Sequence, residues 1–151
     1  MVYSIGSNND FQFENSIYES ISKNCEIHTF DPTVGNNPSN KPENVKFHAW
    51  GISNKNFINS KGYDMRTIEN ITRTLGHLNQ KIDIFKIDCE GCEYSIIKNN
   101  DLIDYFNPEY VIIEYHSGMQ EIKKWLKLNN FTIISSLPKS PQIGIFIAKK
   151  K

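Results

Sequence analysis

Short apolar runs alternate with stretches of helical periodicity from one end of this chain to the other, and a polypeptide patterned that way has few folds open to it. Seven runs read as strands: Val2 to Ile5, Glu26 to Phe30, Val45 to Ala49, Ile82 to Ile87, Tyr110 to Tyr115, Phe131 to Ser135 and Ile143 to Ala148. Each is bounded by Gly, Pro, Asn, Asp or charge. Between the first two, Phe13, Ile17, Tyr18 and Ile21 recur at helical spacing, and Ile68, Ile71, Leu75 and Leu78 do so ahead of the fourth. Further helices are expected near Glu93, with Ile96 and Ile97, and over Met119, Ile122, Trp125 and Leu126. The connector "LPKSP" between the last two strands is too short for a parallel crossover, so these two form an antiparallel hairpin. The pattern predicts an α/β fold whose sheet is parallel except for one antiparallel strand at its edge.

A chain of 151 residues suffices for one domain with a sizeable core. "TVGNNPSNKPEN" and "SNKNFINSKGYD" read as polar loops within that domain, because the apolar segment after each still needs the same sheet to bury it. No apolar run approaches the ~20 residues that span a bilayer, and the first residues lack the order of a secretory signal. A cytoplasmic protein without a membrane partner is expected. Lys plus Arg and Asp plus Glu number 17 each, so no global field steers the chain towards nucleic acid, and no nucleic-acid partner is expected. Cys25, Cys89 and Cys92 do not make a secreted disulfide framework and are expected to be reduced thiols.

In open α/β sheets ligands bind beyond the carboxyl ends of the strands. After the first strand come Gly6, Ser7, Asn8, Asn9 and Asp10, which serve either as a plain turn or as a cofactor loop; the run is not GxGxxG. Asp31 follows the second strand, a little over ~20 residues beyond Gly6, where a carboxylate can accept both hydroxyls of a ribose. The fourth strand ends in "IDIFKIDCEGCEY". There Asp88 and Glu90 can orient a substrate hydroxyl, act as general base or hold a divalent ion, or one of them merely caps the next helix. Cys89 and Cys92 form a CxxC, read as packing against the sheet because a zinc site wants two more ligands; no metal is expected. His116 closes "IIEYHSG" and is either a surface residue or a base for the same cleft. His48 and Trp50 flank a flat base or belong to the core.

Taken in order, "VYSIGSNNDFQFE", "CEIHTFDPT", "VKFHAWGIS", "LGHLNQKIDIFKIDCEGCEY" and "PEYVIIEYH" resemble the FkbM-type methyltransferases and related methyltransferase-like proteins, a branch of the class I S-adenosylmethionine-dependent fold. The likeness covers nearly the whole chain, and "KIDCEGCE" is its most specific piece. It implies a Rossmann-like seven-stranded sheet with an antiparallel last strand, helices on both faces, and S-adenosylmethionine as cofactor. By the same resemblance Gly6, Ser7 and Asn8 hold the methionine end, Asp31 the ribose, and Gly51, Ile52 and Ser53 approach the adenine, while Asp88 and Glu90 face the sulfonium and the substrate. Ser4 stands where many relatives carry an acid, and Asp10 where they often carry glycine. Residues 1–151 are expected to form a single methyltransferase-like domain without the helices that relatives place before the first strand.

The expected activity is S-adenosylmethionine-dependent methyl transfer to an oxygen of a small molecule or glycan, with Asp88, Glu90 or His116 as base. The alternative is a non-catalytic binding or scaffold module of the same fold. An NAD site is disfavoured by the missing GxGxxG. A homo-oligomer, or a partner that completes an open site, is the remaining expectation.

Overall fold

The computed structural model describes residues 1–98 and 101–151. Its main sheet has seven strands: β1 (Val2–Ile5), β2 (Ile27–Phe30), β3 (Val45–His48), β7 (Ile84–Ile87), β8 (Tyr110–His116), β9 (Phe131–Pro138) and β10 (Ile143–Lys150), in the order β3-β2-β1-β7-β8-β10-β9. The pairs β1–β2, β2–β3, β1–β7 and β7–β8 are parallel, whereas β10 runs antiparallel to both β8 and β9. The strand order therefore reverses between β1 and β7, which opens a crevice at their carboxyl ends.

The mostly parallel seven-stranded sheet is as expected, with one correction. The antiparallel strand β10 lies inside the sheet, and β9 forms the edge. Burial explains the choice: β10 alternates buried Gly144, Phe146 and Ala148, while beyond Phe131 β9 offers no fully buried residue.

The third expected strand also breaks after His48. Its continuation β4 (Trp50–Ile52) joins a separate small sheet with β5 (Phe57–Ile58) and β6 (Asp64–Arg66), in the order β4-β6-β5. Most of β5 and β6 falls in or beside a stretch read as loop, because two- and three-residue strands show no periodicity.

Helices cover both faces. Tyr3, Ile5 and Phe30 pack with Ile68 and Ile71 of α2 (Ile68–Leu75), with Ile96 of α3 (Cys92–Lys98), and with Leu102 of α4 (Asp101–Tyr105). On the opposite face Val2, Ile27 and Val45 meet Phe11 and Ile17, the latter on α1 (Gln12–Ser20). The last helix, α5 (Met119–Leu128), buries Ile122, Trp125 and Leu126. Thr67 caps α2 by accepting from Asn70 N–H at 3.1 Å, and Gly76 ends it at φ +73°. Among the described residues no helix is long and apolar enough to cross a membrane.

Imidazoles are built into the α2 face. Burial pushes both His28 and His48 down to about 4; neighbouring imidazoles and cations lower both further, while for His28 the hydrogen bond to Glu26 works in the opposite direction. The unfolded chain therefore takes up protons that the folded chain refuses, and stability is lost as pH falls from about 6.5 to about 4. A loss on the order of 3 kcal/mol across that window is expected from urea unfolding at stepped pH; equal midpoints at pH 7.5 and 5 would contradict it.

Candidate functional site

At the carboxyl ends of β1, β2 and β7 lies a cavity of about 780 Å³, within the range that holds a cofactor-sized ligand. Gly6, Ser7, Asn8 and Asp10 form one wall and Asp88, Cys89 and Glu90 another that adjoins it at Gly6. Phe30, Pro32, Ile52 and Met65 make an apolar shelf beside Asp31 and Thr33.

The first wall is built around a close approach of two backbones. Gly6 N–H donates to Phe30 O at 2.9 Å, and Asp88 N–H donates to Ile5 O at 2.9 Å, so the chain leaves β1 hard against the exit of β7. Lys86 Nζ then donates to Gly6 O at 2.9 Å. Asp10, two residues ahead of α1, accepts from the N–H of its first residue, Gln12, at 2.9 Å.

Asp31 latches this loop. Its Oδ2 accepts from Ser7 N–H at 2.9 Å, Asn8 N–H at 2.7 Å and Ser7 Oγ–H at 3.3 Å. Its Oδ1 accepts from Thr33 N–H at 2.9 Å and Thr33 Oγ1–H at 2.6 Å. Burial alone would raise its pKa, but the bonds from Thr33, Asn8 and Ser7 prevail and hold the carboxyl below the usual range. Both oxygens are thus fully engaged before any ligand arrives, and a ribose hydroxyl reaches them only by replacing the hydroxyl of Thr33 or Ser7.

The second wall turns through two left-handed residues, Glu90 at φ +49° and Gly91 at φ +112°. That reversal brings the Cα atoms of Cys89 and Cys92 to 5.5 Å, and the two cysteines form a disulfide where reduced thiols were expected. Cys25 is free. A residue that sequence reasoning passes over is Glu93, which is 0% exposed at the start of α3. One Glu93 oxygen accepts from Gly91 N–H at 2.7 Å. The other accepts from the main-chain N–H of His116 at 3.3 Å and from His116 Nδ1 at 3.1 Å. Tyr94 adds a bond to His116 O at 3.0 Å. Two neighbouring residues of one helix therefore fix both the backbone and the ring of His116. With Nδ1–H given to Glu93, Nε2 carries the free lone pair.

Ligand atoms of Asp88, Glu114 and His116 all lie within 4.8 Å of one another. His116 Nε2 stands 3.7 Å from Glu114 Oε1, and Lys139 Nζ holds the other Glu114 oxygen at 2.6 Å. Asp88 and Glu90 line the cavity, whereas His116 is not among its lining residues and approaches it only through its neighbour Asp88. Gly51 and Ile52 line it from β4, whereas Ser53 is not among its lining residues and instead donates its N–H to Arg66 O at 2.9 Å in the small sheet. His48 and Trp50 stack at 4.7 Å, away from the lining.

Residues 1–137 match the family model described as a methyltransferase domain. No curated protein matches the chain. Among solved structures, M. capricolum TrmK in complex with S-adenosylhomocysteine shares the fold at a TM-score of 0.54 and 16% identity, over 99% of this chain and 61% of that one. The chain thus spans 61% of the length of that relative. A ribosomal RNA methyltransferase from Plasmodium falciparum shares it at a TM-score of 0.59 and 20% identity, over 99% of this chain and 85% of that one. The expected class I methyltransferase fold is borne out. The expectation of no nucleic-acid partner is overturned, since this fold serves a ribosomal RNA methyltransferase. It failed because a balanced total charge does not decide which acceptor a fold of this kind serves.

Proposed function

The chain belongs to the family of methyltransferase domains, and on that premise we propose that it binds S-adenosylmethionine in the cavity lined by Gly6, Asp31 and Asp88 and transfers the methyl group to RNA. The observation that carries this is the position of the cavity, at the strand-order reversal, with the Glu93-oriented imidazole of His116 beside Asp88 of its lining. The cofactor supplies a methyl group already bonded to a cationic sulfur. The chain's share is therefore alignment, shielding and removal of a proton.

The residues present fit that cofactor. Phe30, Pro32, Ile52 and Met65 give an apolar shelf for a base, and Gly51 lets the Met65 thioether approach the backbone. Asp31 with Thr33 stands where the ribose would lie, and the carboxylates of Asp10, Asp88 and Glu90 suit a ligand bearing an ammonium and a sulfonium. Gly6, Ser7 and Asn8 hold the methionine end. His116 Nε2 accepts the proton of the acceptor, with Asp88 beside it to orient the attacking group.

RNA takes the place of the small molecule or glycan expected from the sequence. The ribosomal RNA methyltransferase of the same fold supports this, as does Lys61 on the cavity lining, a cation suited to a phosphate. The finer placement among FkbM-type methyltransferases rests on "KIDCEGCE".

Incubation with methyl-labelled S-adenosylmethionine and total cellular RNA is expected to give label that ribonuclease releases; label confined to other fractions would contradict the RNA reading. In the active assay His116→Ala is expected to lower kcat by about 10²–10⁴-fold while leaving the cofactor's Kd nearly unchanged. Glu93→Gln should lower kcat without raising KM to match, and an unaltered kcat in both variants would remove His116 from the mechanism.

A further inference from the structure

Three of the chain's four histidines play no part in that reaction. His28 from β2, His48 from β3 and His77 from the turn after α2 converge on the sheet face that α2 covers. His28 is 2% exposed and His77 7%. His28 Nδ1 lies 2.9 Å from His48 Nε2, and His28 Nε2 lies 3.0 Å from Glu26 Oε1. His77 Nδ1 lies 2.5 Å from the Tyr3 hydroxyl. A nitrogen of each of His28 and His77 and an oxygen of Glu26 all fall within 4.8 Å of one another.

We propose that Glu26, His28 and His77 bind a divalent transition metal ion, zinc by the chemistry of the donors, at a site separate from the methyl-transfer cavity. Two imidazoles and one carboxylate are a borderline-soft donor set that leaves a fourth position for water. Zinc bonds of about 2.0–2.1 Å need donors about 3.3 Å apart in a tetrahedron, so donors now within 4.8 Å of one another draw in by at most about 1.5 Å. When His28 Nε2 takes the metal, its Nδ1 becomes the donor to His48, the outer hydrogen bond that fixes a ligating imidazole. Tyr3 offers the same service to Nδ1 of His77. The ion enters from the side of Glu26, whose side chain is 38% exposed. Lys46 now pairs with that Glu26 oxygen, and its long exposed side chain is the competitor the ion displaces.

The test is titration of the disulfide-intact, chelator-stripped protein with Zn²⁺ alone, in competition with a chromogenic chelator, and with Co²⁺ for its visible spectrum. One equivalent is expected to bind, with a tetrahedral Co²⁺ spectrum of nitrogen and oxygen donors and no thiolate band. His77→Gln should weaken binding on the order of 100-fold and His48→Gln about 10-fold. Lys46→Ala should tighten it, and His116→Ala should leave it unchanged. Unaltered affinity in a folded His77→Gln, or loss in His116→Ala, overturns the proposal. Should His77→Gln not fold, the wild-type Co²⁺ spectrum decides: absence of a one-equivalent tetrahedral band overturns the site.

Discussion

Gly6→Ala is expected to destabilise the protein by about 4 kcal/mol or more, at the severe end of single substitutions. Gly6 sits at φ +81°, where an added side chain is strained, but the larger cost is steric. A Cβ there would lie 1.6 Å from the carbonyl oxygen of Asp88 and 2.7 Å from its carbon. Both are backbone atoms, held by the bond from Asp88 N–H to Ile5 O at 2.9 Å, so neither can rotate away. Relief requires prising β1 from β7 at the crevice itself, and ligand binding should be lost along with the stability. Gly35 is the matched control: it has φ +75° with nothing within 4 Å of its added Cβ, and alanine there should cost only about 1–2 kcal/mol. Thermal melts of the two variants check this, a Gly6→Ala as stable as Gly35→Ala being the contrary result.

Asp31→Ala should have the second-largest effect, about 3 kcal/mol in stability and roughly 100-fold in cofactor affinity. The carboxylate is 4% exposed and accepts five hydrogen bonds from Ser7, Asn8 and Thr33. Its removal leaves three main-chain N–H groups without their acceptor, some of which the cavity's solvent will partly satisfy. The loop after β1 then loses the group that holds the main chain of Ser7 and Asn8. Urea midpoints and calorimetry on the same preparation read the two losses; retention of full affinity would mean that the loop shape is set elsewhere.

The sheet was legible because its central strands are buried on both faces. Val2–Ile5 and Ile27–Phe30 have no exposed residue, and such runs stand out whatever surrounds them. The place of β10 was not legible, since "LPKSP" requires a hairpin but is silent on which arm lies inside. The cavity walls were found at Gly6, Asp31, Asp88 and Glu90 because ligands gather at strand ends, a rule that needs no side-chain detail. Glu93 was missed although a signal existed: an acid facing inward between Cys92 and Ile96 of an otherwise apolar helix face demands a partner. That partner, His116, lies 23 residues on, a pairing only the fold discloses. The cluster of His28, His48 and His77 escaped for the same reason, as did the disulfide, which depends on two left-handed residues between its cysteines.

Titration calorimetry with S-adenosylhomocysteine tests the central claim most directly, because it needs no knowledge of the methyl acceptor. One molecule per chain is predicted to bind wild-type protein with a Kd between about 1 μM and 1 mM, and to bind Asp31→Ala far more weakly. Absence of heat with both S-adenosylhomocysteine and S-adenosylmethionine, from protein shown to be folded, would contradict a methyl-transfer cavity lined by Gly6, Asp31 and Asp88.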